Sequence, residues 1–187
     1  MFPSEVSKRT VGPSAARAGA ATKSVRSEIR TTRRIGAERM GRRSGMAKNT
    51  ADATWTGTLK EGDGHLALGN GAFEGAFSFR SRFEDGDGTN PEELIAAAHA
   101  GCYSMQLNLF LRNDGIEPES VKTHAEVTLR PVDEVPTITK IALSTTVTAP
   151  GADEAAIRSA AEAAREKCVV SRALAGVDEI TLDVTIA

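Results

Sequence analysis

Aromatic side chains make up only 4% of this 187-residue sequence. Its core must therefore be packed by Val, Ile, Leu and Ala, and an apolar content of 40% suffices for that. No apolar run approaches the roughly 18 residues that a membrane-spanning helix needs, so no membrane partner is expected. The continuous apolar stretch of a secretory signal is also missing. Only two cysteines occur, Cys102 and Cys168. A small secreted scaffold held by disulfides carries more. The pair fits either two buried structural thiols or one redox couple in a reducing, cytoplasmic setting.

Positive charge is scarce after the first 45 residues. The formal net charge of −2 hides eleven Lys/Arg against three acids in residues 1–45, a net +8, and a net −10 over 46–187. A negative main domain is a poor binder of phosphate backbones, because that affinity is built from Lys and Arg contacts. No nucleic-acid partner is expected. Residues 1–45 are rich in Arg, Ser, Thr, Gly and Ala, and bury too little apolar surface to offset their ordering entropy. They are expected to form a disordered basic extension. It is open to reading as a transit-like peptide, as a basic arm, or as an extension upstream of a start at Met46. The last is favoured, because domain-like patterning begins just after Met46. Residues 46–187 are expected to form one folded domain.

Within that domain the pattern opens as β. Ala53–Leu59 and His65–Leu68 read as strands around the turn Glu61-Gly62-Asp63-Gly64. Ala76–Phe83 alternates Phe77, Phe79, Ser81 and Phe83 against Ser78, Arg80 and Arg82, which predicts a third strand. Asn90-Pro91-Glu92-Glu93 is a helix start, with Asn90 as N-cap, Pro91 in the first turn and two acids at the positive helix end. The stretch Leu94–Leu111 is apolar on most sides, so a buried central helix is expected. Two β-branched strands follow at Val121–Pro131 and Thr137–Ala149, then an amphipathic helix at Asp153–Lys167 and a strand at Ile180–Ile186. The order βββ-α-ββ-α-β predicts an α+β fold with a mostly antiparallel sheet and two helices.

Cys102 lies on the central helix and Cys168 ends the second one. Taken alone, each reads as a small core residue, since free Cys is among the most buried types. Their 66-residue spacing excludes a CxxC motif but lets the sulfurs meet in space. A peroxide-reducing thiol needs a thiolate, a cation to favour it, and a second thiol to capture the sulfenic acid. Arg82 is a candidate cation, and Glu92 and Glu93 are the nearest carboxylates to orient it. Glu92 and Cys102 stand ten residues apart on one helix, about 15 Å along its axis. A role for Glu92 therefore requires a partner subunit or a long Arg between them, which favours a site at a dimer interface. Phe79, Phe83, Tyr103 and Met105 are candidate apolar lining, or plain core.

The run Arg82-Phe83-Glu84, Gly88-Thr89-Asn90-Pro91-Glu92-Glu93-Leu94, Ala97-Ala98-His99-Ala100-Gly101-Cys102-Tyr103-Ser104-Met105 closely resembles the OsmC/Ohr family (osmotically inducible protein C and organic hydroperoxide resistance protein). The OsmC branch matches better, and Val170-Ser171 and Ile180-Thr181-Leu182-Asp183 extend the resemblance over about residues 51–187. It implies an intertwined homodimer that reduces organic hydroperoxides and hydrogen peroxide in oxidative or osmotic stress. It also implies an external dithiol reductant, such as a lipoylated protein, and no metal or flavin cofactor. By position, Cys102 would be the peroxidatic residue, Cys168 the resolving one, Arg82 the thiolate-stabilising arginine and Glu92 its partner. One departure is Val169, where proline commonly follows the second cysteine.

Three rival readings stand beside it. A metal site would draw on His99, one turn before Cys102, with Cys168 and His65 or His124, but these show no tight ligand spacing; His99 is expected instead to pack or hydrogen-bond near the thiol. A Cys-His hydrolase lacks a supporting signature. A non-catalytic small-molecule-binding stress protein would keep the fold with inert thiols.

Overall fold

The computed structural model describes residues 48–187, so the expectations for residues 1–45 lie outside the described residues. Strands β1 (Ala51–Thr56), β2 (Asp63–Leu68) and β3 (Glu74–Ser78) form an antiparallel sheet in that order. The first strand ends earlier than expected, because Gly57 adopts φ +92°, a conformation that breaks an extended run. The turn then closes through the Gly62 N–H on the Thr58 carbonyl at 2.8 Å.

The strand expected over Ala76–Phe83 is corrected by the structure. It stops at Ser78, and Phe79–Phe83 winds into a short helix, α1. Ser78 and Ser81 cap each other reciprocally: each backbone N–H donates to the other's hydroxyl, at 3.0 and 2.9 Å. The alternating phenylalanines that imitated a strand become an i,i+4 pair, with Phe79 and Phe83 ring centroids 4.9 Å apart.

Helix α2 (Pro91–Asn113) follows, then β4 (Ser120–Val132) and β5 (Val135–Thr148) as a long antiparallel hairpin. Its turn places Asp133 and Glu134 at positive φ. Helices α3 (Glu154–Lys167) and α4 (Val169–Ala173) lead to β6 (Glu179–Ile186), which joins β5 in parallel. The result is a mixed α+β protein with mostly antiparallel pairing.

The core lies between α2, α3 and the β4-β5-β6 sheet. Tyr103, Leu107 and Leu111 enter from α2, Leu143 and Val147 from β5, and Ile157, Ala160, Ala161 and Ala164 from α3. Their spacing puts each set on one face. The small alanines let α3 approach α2 closely, with the Tyr103 hydroxyl donating to the Ala161 carbonyl at 3.2 Å. Only one stripe of α2 is covered. Met105 is 77% and Leu109 53% exposed on the other side, and β1 is exposed along its whole length.

Candidate active site

Two pairs of chemically able residues are assembled. The first forms where α1 meets the start of α2. The Asn90 side chain accepts the Glu93 N–H at 2.9 Å and donates to the Ser81 carbonyl at 3.1 Å. The Ser81 hydroxyl in turn donates to the Thr89 carbonyl at 2.8 Å. These links hold Arg82 opposite Glu92. Arg82 Nη2 donates to Glu92 Oε1 at 2.7 Å, and Nε lies 3.2 Å from both carboxylate oxygens. An ion pair this exposed adds at most about 1 kcal/mol, so its main effect is to fix the guanidinium. The pair borders an open cavity of about 340 Å³, also lined by His124, Glu126 and Val127. Neither cysteine lines it.

The second pair is the two thiols. Cys102 and Cys168 are both free, and their sulfurs lie 3.1 Å apart. Cys102 projects from α2 one residue before the buried Tyr103. Cys168 is fully buried at the break between α3 and α4, with extended backbone, φ −57° and ψ 126°. Its N–H closes α3 on the Ala164 carbonyl and its carbonyl accepts the Arg172 N–H. The backbone therefore fixes the second sulfur against the first.

The thiols are electrostatically unequal. Burial raises Cys102, the hydrogen bond with Cys168 raises it further, and the backbone N–H groups of Val170 and Val169 offset only part of this. Burial also works against a Cys168 thiolate. The polar groups of Ser171, Cys102 and Val170 around the sulfur outweigh it, so Cys168 falls below the ordinary thiol value. His99 is fully buried, and its Nε2 lies 2.8 Å from Ser171 Oγ.

The structure thus joins Cys102 to Cys168 and Arg82 to Glu92, but the two pairs stand apart within the chain, separated by about 15 Å of helix. Among the suggested lining residues, Tyr103 is core, whereas Phe83 and Met105 are exposed. Among the described residues, no group of three or more His, Cys, Asp or Glu side chains gathers in a way that could hold a metal ion. Sequence reasoning missed Ser171 and the Val169 and Val170 N–H groups. Ser171 stands three residues after Cys168, a spacing that carries no signal by itself, and the N–H groups carry none.

Residues 84–183 match the family model described as OsmC-like protein. The chain is 44% identical over 132 residues to Peroxiredoxin OsmC of Escherichia coli, covering 70% of this chain and 91% of that protein. It is 30% identical to an organic hydroperoxide resistance protein of Xanthomonas axonopodis, covering 52% of this chain and 67% of that protein. Among solved structures, the fold matches an organic hydroperoxide resistance protein OsmC from Legionella pneumophila, with TM-score 0.61 and 24% identity, over 76% of this chain and 99% of that one.

Proposed function

The chain belongs to the OsmC family, and from that membership we propose that it is a thiol-dependent peroxidase that reduces organic hydroperoxides and hydrogen peroxide. The observation that carries the proposal is the 3.1 Å approach of two free sulfurs. The Cys102 thiolate attacks the distal peroxide oxygen, the O–O bond breaks, and an alcohol or water leaves. The resulting Cys102 sulfenic acid condenses with Cys168 to a disulfide and water. An external dithiol, such as that of a lipoylated protein, restores both thiols by exchange. No metal or flavin takes part. We assign the protein to the cytoplasm, in oxidative or osmotic stress defence; no helix among the described residues is long and apolar enough to cross a membrane.

Within a lone protomer Cys102 is raised and its cation is distant, so the nucleophile is poorly activated. A homodimer supplies the remedy. The exposed stripe of Gly101, Met105 and Leu109 along α2 offers an apolar face for a second copy. In that assembly the partner's Arg82–Glu92 pair completes the site beside Cys102. The test is peroxide consumption in the presence of a dithiol. Cys102→Ser is expected to lose it, and Cys168→Ser to retain a first turnover with trappable sulfenic acid. Unchanged turnover in Cys102→Ser overturns the reading.

A further inference from the structure

The face of β4 and β5 that meets α2 is apolar except at one point. Val121, Thr123 and Ala125 alternate on it from β4, and Leu143, Thr145 and Val147 from β5. Thr123 and Thr145 stand directly opposite each other in the register, and Thr145 is buried. Valine has nearly the same shape and would fill both places without a polar atom, so packing alone does not account for two hydroxyls here. The hydroxyls form a chain with one direction. Thr145 Oγ1 donates to the Lys122 carbonyl at 3.3 Å, which uses its only proton. Thr123 Oγ1, 3.1 Å away, must then donate to Thr145. Thr123 Oγ1 in turn accepts from Ser104 Oγ at 2.8 Å. Each of the three protons has an acceptor, and the chain runs from α2 through β4 to β5.

Ser104 stands two residues beyond Cys102 on α2. Just before it, the Tyr103 hydroxyl donates to the Ala161 carbonyl of α3. Successive helical residues point about 100° apart, so these bonds tie α2 in two directions, to α3 and to the sheet. The apolar stripe of Leu107 and Leu111 is non-directional and leaves the helix free to make small rotations about its axis. A sulfur about 5 Å from that axis moves about 0.9 Å for a rotation of about 10°. The backbone at the end of α3 fixes Cys168 independently, so such a rotation falls directly on the 3.1 Å between the sulfurs.

We infer that Ser104, Thr123 and Thr145 are positioning residues, a hydroxyl chain that sets the rotation of α2 and so holds Cys102 against Cys168. The inference rests on the peroxidase reading and concerns its second step. There the Cys168 thiolate attacks the sulfur of the Cys102 sulfenic acid. The S–S bond forms from the Cys168 electron pair and the S–O bond breaks. The oxygen leaves with that bond's electrons and takes up the proton that Cys168 released, giving water. Cys168 is oxidised and the Cys102 sulfenic acid is reduced. Both reacting atoms are fixed to the protein in this step, so neither can follow a displaced partner. In the first step the peroxide is free and follows the Cys102 sulfur. Misplacement therefore costs closure more than sulfenic acid formation.

The two steps separate by rapid mixing of the full-length reduced protein with an alkyl hydroperoxide. Sulfenic acid formation scales with peroxide concentration, and disulfide closure does not. Thr123→Val keeps the volume and breaks the chain. It is expected to slow closure about tenfold relative to the first stage, within the roughly hundredfold loss that a misplacement of about 1 Å can cause. More Cys102 sulfenic acid is then trapped by dimedone. Thr123→Ser restores the hydroxyl and returns the ratio of the two rates to its wild-type value. Ser104→Ala shifts that ratio in the same direction as an independent variant, and adds little to Thr123→Val because the chain acts as one unit. Ile141→Val loses a buried methyl elsewhere on β5, and is expected to lower the melting temperature with the ratio unchanged. A wild-type ratio in both Thr123→Val and Ser104→Ala overturns the inference and leaves the peroxidase reading intact. The same shift of the ratio in Ile141→Val, or no rescue by serine, marks a merely structural role and also overturns it. Absence of the first stage in the wild type overturns both readings.

Discussion

His99 is the residue whose environment departs furthest from what its sequence position suggests. It stands at i−3 to Cys102, on the same helix face, where a ligand role was conceivable. It is instead sealed in the core with one bond, to Ser171. This has a consequence for stability. Burial lowers its proton affinity in the folded state, so the unfolded chain binds the extra proton first. Stability is therefore full above the ordinary histidine value of about 6.5 and falls as pH drops below it. Melting temperature measured from pH 7 downward should decline more steeply in the wild type than in His99→Gln. Equal slopes would show that His99 does not bear the acid sensitivity. The two cysteines were legible only through the surrounding motif, since composition reads each as core. Ser171 was not legible, because a serine three residues past a cysteine has no meaning until the break between α3 and α4 brings it to His99.

At the scale of elements, α2 shows both the reach and the limit of pattern. Its start was readable from Asn90-Pro91-Glu92-Glu93, and the structure uses Asn90 as the cap. The stretch from Phe79 to Phe83 was not readable as helix, because two serines three apart cap a turn while the flanking phenylalanines keep a strand's alternation. Helix α4 begins at Val169, where the resemblance led to an expectation of proline. Val169 is its first residue and is exposed, a position that suits proline for folding. Yet its N–H is one of the backbone groups that favour a Cys102 thiolate. Val169→Pro should therefore leave the melting temperature unchanged or slightly raised, while slowing the peroxide-dependent oxidation of Cys102. Stopped-flow oxidation and thermal melts on the same variant separate the two effects. An unchanged oxidation rate would remove the N–H from the account.

At the scale of the whole molecule, the question is what covers the outer stripe of α2. The sequence made that helix apolar on most sides, and the chain buries only the side carrying His99, Tyr103, Leu107 and Leu111. A large apolar side chain such as Met105 or Leu109 gains about 1.5–3 kcal/mol on full burial, so an assembly that covers this face is favoured. Met105→Glu is expected to yield a monomer by analytical ultracentrifugation. Because that monomer lacks the partner's Arg82, its peroxide consumption should fall together with assembly. A monomer with full activity would show that Cys102 needs no second subunit. The +8 charge of residues 1–45 and the −10 charge of residues 46–187 were legible from composition, but they bear on neither the thiols nor this face.

The central claim is that two free thiols 3.1 Å apart in the reduced protein form the working redox pair. Peptide mapping by mass spectrometry after one equivalent of alkyl hydroperoxide tests it most directly. A Cys102–Cys168 disulfide within one chain is expected, reversed by a dithiol and absent from Cys102→Ser. Peroxide consumption with both thiols still free, or with disulfides only between chains, would contradict it.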